Sequence, residues 1–213
     1  MANRDVVVVG ASAGGVEALA PDTSIVVVAT SAGGLNALTH VLSALPPDFP
    51  APVVVVQHLS REAPSLLADI LDRRCAIAVR HAVDGEVPKP ATVYIAVRDY
   101  HLLITASGRL ALTHSELVHF VRPSADVLFE SAAASYGDQV IAVVLTGAGV
   151  DGAAGVRAVK RAGGVVIAQD KETCESFGMP AAAIGTNGVD EVLGLDDIAP
   201  ALITRVGQLH RAS

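Results

Sequence analysis

Charged residues make up only 17% of this 213-residue chain, and that scarcity excludes a self-repelling, disordered polymer. The 51% of apolar residues calls instead for a core covered on both sides. Long hydrophobic runs are missing as well: Gly, Pro, His or a charge interrupts every stretch before it reaches the roughly 18 residues needed to span a bilayer. Arg4 and Asp5 precede an apolar run that is broken at Gly10 and too short for a secretory signal. Cysteine is limited to Cys75 and Cys174, far apart and without metal-type spacing, so a reducing cytoplasm is expected and no disulfide framework. Basic residues number 15 against 22 acidic ones, a net charge of −7. No basic stripe exists to displace counterions from phosphates, which disfavours nucleic acid as a partner. A low-complexity linker is also lacking, and the length suits one well-buried domain.

What the chain does have is one stretch written twice. Val6 to Leu19 (VVVVGASAGGVEAL) and Ile25 to Leu38 (IVVVATSAGGLNAL) are identical at nine of fourteen positions. Each copy runs from a β-branched segment to a Ser flanked by small residues, then Gly-Gly, then the apolar start of a helix. Small residues let a backbone bend sharply beside an exposed hydroxyl, so each copy reads as a strand-to-helix turn with Ser12 or Ser31 at its tip.

Further apolar runs recur at Val53 to Val56, Thr92 to Ala96, Val140 to Leu145 and Val165 to Ala168. They lack polar alternation and are rich in Val and Ile, the pattern of parallel strands buried on both faces. Helical patterns fall between them, at Leu35 to Leu45, Ala63 to Arg74, Pro123 to Ser135 and Asp151 to Ala162. Ser124 is placed to cap the third and Asp151 suits the N-terminus of the fourth. Leu102 to Thr105 and Leu110 to Thr113 flank Ser107-Gly108 as a hairpin would, which predicts an antiparallel edge. Leu195 to Leu209 reads as a closing helix. The fold class expected is α/β: a three-layer α/β/α, doubly wound, mainly parallel sheet with a small antiparallel edge.

In such a sheet, ligands bind beyond the carboxyl ends of the strands. Ser31, His58 and Asp151 each come just after a separate apolar run, and together they form the inventory of an activated hydroxyl: nucleophile, base and orienting carboxylate. Backbone N–H groups after Ser31 and from Gly147 to Gly149 could supply an oxyanion hole. Each residue also has a plainer reading. Ser31 could cap a helix or contact a phosphate, His58 could be a core histidine, and Asp151 could cap the helix it precedes. A dinucleotide-binding turn fits poorly, because Ser12 stands where G-x-G-x-x-G needs glycine and no Gly-Lys-Ser/Thr occurs. The order Ser, His, Asp differs from that of α/β-hydrolases, and no metal-ligand cluster is evident.

The segment from Ile25 to about Leu202 resembles the catalytic domain of CheB-type chemoreceptor methylesterases. The likeness rests on SAGGLNAL from Ser31, VVVVQH ending at His58, VYIA and DYHLL around His101, RPSADVLFESAA from Arg122, LTGAGVDGAAG from Leu145, and AGGVVIAQD with a later FGMP. It implies Ser31 as nucleophile, His58 as general base, Asp151 as its carboxylate, and His101 near the site. It implies hydrolysis of glutamate γ-methyl esters, and deamidation of glutamines, on the cytoplasmic helices of methyl-accepting chemotaxis receptors, with no cofactor and no membrane insertion. A catalytically reduced adaptor of the same fold is the alternative. Departures from the family pattern are Ala29 for Gly, Ala148 for Met, and Val97-Arg98 in place of the Pro after Ala96. Family members usually carry an N-terminal receiver domain. With 24 residues before Ile25, a stand-alone domain without phospho-regulation in cis is expected.

The two copies of the repeat lead into different lengths of chain. Only a few residues separate the first from Pro21, too few for a comfortable parallel crossover. Residues 1–24 are therefore expected to be a duplicated leader or extra edge element and 25–213 the catalytic domain, with Ser31 rather than Ser12 as nucleophile.

Overall fold

The computed structural model describes residues 24–58 and 66–212. The first copy of the repeat, Ser12 included, lies outside them, as does the start of the helix expected from Ala63.

Strands with no polar face must be covered on both sides, and that requirement sets the architecture. Seven strands form one sheet: β1 (Ile25–Thr30), β2 (Val53–Gln57), β3 (Ala78–His81), β4 (Thr92–Ile95), β7 (Val140–Val144), β8 (Val165–Gln169) and β9 (Glu191–Leu193). Their spatial order is β3-β4-β2-β1-β7-β8-β9, and every pairing is parallel. The antiparallel hairpin forms as its own two-stranded sheet, β5 (His101–Ile104) with β6 (Leu110–Thr113).

Alternate residues of the central strands enter two separate cores. Val26, Val28, Val53, Val55, Ile141 and Val143 meet one face's helices, α1 (Gly34–Ser43), α2 (Leu67–Asp72) and α6 (Leu195–Ala212). Val27, Ala29, Val54, Val56, Ala142 and Val144 meet α3 (Ala125–Tyr136), α4 (Ala153–Arg161) and α5 (Gly178–Ile184) on the other. The hairpin joins this second core through Leu102, Ile104 and Leu110. Each Leu or Phe so buried contributes about 1.5–3 kcal/mol, and period-two alternation divides the side chains of each strand between the two cores. The result is the three-layer α/β/α arrangement expected from the runs.

The strand order reverses at β1. From there the chain moves out through β2 toward β4 and later returns to β7 on β1's other side. That is a topological switch point, where loops diverge and leave a crevice at the carboxyl ends. Ser31, His58 and Asp151 lie just past β1, β2 and β7, the three strands bordering it.

Candidate active site

Ser31 leaves the end of β1 on a backbone that is held on every side. Its N–H donates to Thr146 O at 3.0 Å, and its carbonyl accepts the N–H of Gly34 at 2.9 Å and the side-chain amide of Gln57 at 2.8 Å. Thr30 Oγ1 donates to the same Thr146 carbonyl at 2.7 Å. The turn into α1 needs its two glycines for different reasons. Gly33, in the N-cap position, has φ 80°, a left-handed conformation that glycine adopts without strain. A Cβ on Gly34 would lie 1.9 Å from Gln57 Oε1. The strand, the hydroxyl and the helix are thus joined by three residues, Ser31 to Gly33. Among the described residues, the Ser31 hydroxyl itself has no hydrogen-bond partner.

The backbone of His58 is tied to the same framework: its N–H donates to Thr30 O at 3.1 Å, and its carbonyl accepts Gln57 Nε2 at 2.8 Å. One buried amide, Gln57, therefore bridges the carbonyls of Ser31 and His58 and fixes one relative to the other. The imidazole of His58 points to Asp151, with Nε2 2.8 Å from Oδ2; the two side chains are 12% and 4% exposed. An ionised carboxylate only accepts, so Nε2 carries a proton, and in the neutral form of this ring the free lone pair lies on Nδ1.

Asp151 lies beyond β7 but serves α3. Its Oδ1 accepts the Ser124 hydroxyl at 2.7 Å and the Asp126 N–H at 3.1 Å, and its Oδ2 accepts the Ala125 N–H at 2.6 Å. These donors include the otherwise unpaired amides of a helix N-terminus, a natural seat for an anion. Burial works to raise the Asp151 pKa, but the bonds from His58, Ala125, Ser124 and Asp126 outweigh it and hold the carboxyl below its usual range. The carboxylate stays charged in a nearly dry site.

The cap expectations are realised crosswise. Ser124 occupies the N-cap position of α3 but makes no side-chain cap bond, because its hydroxyl is committed to Asp151. Asp151 precedes α4, whose N-cap is Gly152, yet caps α3. Asp126, in the first turn of α3, in turn accepts the Gly155 N–H of α4 at 2.8 Å. The two helices exchange capping carboxylates, so the site's carboxylate is also a structural joint. His101 is fully buried. Its Nδ1 accepts the Ser124 N–H at 3.1 Å and its Nε2 donates to Glu116 O at 2.9 Å, so it steadies the residue that steadies Asp151.

The oxyanion donors are narrower than the sequence suggested. Gly147 N–H is spent on Ser176 O at 2.8 Å. Among the described residues, the amides of Ala32, Gly33, Ala148 and Gly149 have no acceptor; the first two follow Ser31 in the chain, and the last two follow Gly147, on which a Cβ would lie 2.9 Å from Ser31 Cβ. His119, Asp126 and Asp151 bring potential metal-ligand atoms within 4.8 Å of one another. Their oxygens are already taken by amides, a hydroxyl and imidazoles, so they form a hydrogen-bonded cluster rather than an open coordination sphere.

Sequence reasoning passed over Gln57, Thr146 and Gln169, and read Ser124 only as a helix cap. Gln169 Oε1 accepts the Thr146 N–H at 2.8 Å, and the Thr146 hydroxyl reaches Ala32 O at 2.9 Å. A signal was present: Thr30, Gln57 and Gln169 are polar residues closing otherwise apolar strands.

A family model described as CheB methylesterase matches residues 26–202. The chain is 44% identical over 203 residues to a protein of Cupriavidus pinatubonensis named protein-glutamate methylesterase/protein-glutamine glutaminase 1, covering 95% of this chain and 54% of that one. A Leptospira interrogans protein named putative protein-glutamate methylesterase/protein-glutamine glutaminase is 42% identical, with 94% of each chain covered. The chain thus spans about half the length of the Cupriavidus relative and nearly all of the Leptospira one. The crystal structure of the Thermotoga maritima CheB methylesterase catalytic domain superposes with a TM-score of 0.83 at 42% identity, covering 86% of this chain and 98% of that one.

Proposed function

The chain belongs to the CheB methylesterase family, and on that premise we propose that it hydrolyses glutamate γ-methyl esters on methyl-accepting chemotaxis receptors through Ser31, His58 and Asp151. The observation that carries this reading is the His58 Nε2 to Asp151 Oδ2 bond of 2.8 Å, made at a strand end next to the one that presents Ser31. Asp151 holds the imidazole in one tautomer and stabilises the cation that forms on it. His58 Nδ1 then takes the Ser31 proton as Oγ attacks the ester carbonyl carbon. Negative charge develops on the carbonyl oxygen, where free amides of Ala32, Gly33, Ala148 or Gly149 can meet it, each worth roughly 3 kcal/mol. Methanol leaves with the proton from His58. Water, deprotonated by the same nitrogen, resolves the acyl-enzyme and restores the serine. Deamidation of glutamine uses the same steps with ammonia as the leaving group.

The substrate side chains in this reading lie on the receptors' cytoplasmic helices, and the protein works in the cytoplasm. Among the described residues, no helix is long and apolar enough to cross a membrane. The measurement that tests the reading is methanol release from methylated receptor membranes by wild type and Ser31→Ala. Release is expected from the wild type and is expected to fall to background in the variant. Equal release would remove Ser31 from the mechanism, and none from either would favour an adaptor role.

A further inference from the structure

Between the second hairpin strand and α3, the chain makes a smaller turn that the chemistry above does not use. Val118 and Val121 exchange both backbone hydrogen bonds, at 3.2 and 2.9 Å, around the two-residue loop His119-Phe120. Both loop residues have positive φ, 50° and 64°, the type I′ pattern that favours Asn-Gly. A Phe in this conformation is a genuine outlier. Phe120 is moreover 91% exposed, so the fold gains no packing from its ring. Conformation and exposure both run against stability, and such positions persist where function uses them.

The turn is held firmly. Arg122 donates to Asp99 Oδ1 from Nε at 3.1 Å and from Nη2 at 2.8 Å, and its Nη1 reaches the carbonyls of His114 and Ser115. Glu116 O is bound by His101. His119 Nε2 lies 3.1 Å from Asp126 Oδ2, within the same 4.8 Å cluster as Asp151. The tip residue is therefore the immediate neighbour of one that touches the carboxylate cradle of the site. Leu117, directly before the turn, and Val150, directly before Asp151, are exposed apolar residues as well, at 39% and 55%.

A γ-methyl ester is a short neutral group and offers little area by which one glutamate could be told from another. Discrimination has to come from contacts beyond the reacting atoms. A net charge of −7 over the whole chain disfavours an anionic surface as what this turn meets. We infer that Phe120, displayed on a rigid turn bonded to the catalytic cradle, grips the apolar residues flanking the target glutamate on the protein substrate and so determines specificity. This rests on the reading of the site as a protein methylesterase.

The test is Phe120→Gly with Phe120→Tyr beside it, assayed on methylated receptor and on a small N-acyl glutamate γ-methyl ester. Glycine suits the left-handed backbone, so Phe120→Gly should unfold at or above the wild-type Tm. Its kcat/KM on receptor relative to the small ester should fall at least tenfold, through KM, while Phe120→Tyr keeps most of the wild-type ratio. An unchanged ratio, a loss carried by kcat, or a lowered Tm would each overturn the inference while the esterase reading stood. Absence of methanol from both substrates with the wild type would instead remove the esterase reading, and this inference with it.

Discussion

At Asp151, four hydrogen bonds converge on two buried oxygens, whereas at Ser31 the backbone is bound on each side and the hydroxyl has no partner among the described residues. The carboxylate is a joint between two helices as well as the support of His58. The serine is held only by its main chain, and its side chain stays available. A group that must remain charged in a dry place needs many donors. One that must attack a substrate has to stay uncommitted until the substrate arrives. Substitutions should therefore cost activity and stability together at Asp151 and activity alone at Ser31.

The largest effect is expected at the carboxylate. Asp151→Asn turns an acceptor of four donors into a group that is itself half donor, faced by amides and a hydroxyl. It should lower kcat by about 10³- to 10⁴-fold through loss of the imidazole's orientation. It should also lower stability by about 2–4 kcal/mol, since buried donors lose a charged partner. Methanol release and urea unfolding check the two losses together. A variant inactive at wild-type stability would show that Asp151 is no joint.

Gln57 comes next, because it links the two ends of the site through main-chain carbonyls. Gln57→Glu keeps the shape but sets an oxygen against both carbonyls in place of the amide NH₂. An unfolding free energy lower by about 1–2 kcal/mol and a kcat lower by about tenfold, from misplacement of Ser31 relative to His58, are the expected results. Full activity would mean that the strands alone set the geometry.

Much of this contrast was legible in the sequence. Ser31, His58 and Asp151 stood out because each is a reactive side chain just beyond a Val-rich run, and a doubly wound sheet collects strand ends at one edge. What could not be read was which partner each residue takes across the fold. Asp151 was expected to serve the helix it precedes, but the bonds that define it come from Ser124, Ala125 and Asp126, more than twenty residues away. The partner of Gln57 was equally hidden, since its bond to Ser31 O spans 26 residues. The same limit applies to the fold. β3 has exposed Ala78 and Arg80 alternating with buried Val79, β9 is only three residues long, and α5 begins with glycine and holds a proline. Edge strands and short helices make few local demands, so their sequences carry little pattern.

Acid should reach the Asp99 anchor of the His119-Phe120 turn at a defined point. Bonds from Arg122 and His114 hold the Asp99 carboxyl down at about 2. Its folded value lies below the unfolded one of about 4, so its contribution is complete above pH 4 and is lost as pH falls toward 2. Asp99→Asn should therefore flatten part of the fall in Tm across that window. At pH 7, where that contribution is complete, the variant should lose it together with the contacts to Arg122 and His114. An unaltered slope would show that Arg122 holds the turn through the carbonyls of His114 and Ser115 alone.

The smallest expected effect on stability is the sharpest test of the comparison. Ser31→Ala removes a hydroxyl with no partner among the described residues, and alanine keeps the N–H to Thr146 and the carbonyl to Gln57 and Gly34. No buried partner is stranded, so stability should stay within about 0.5 kcal/mol of wild type even though methanol release disappears. A clear loss of stability would mean that the hydroxyl holds the His58 ring at rest. The site would then be closed before substrate binds, with Ser31 and Asp151 locking His58 from both sides.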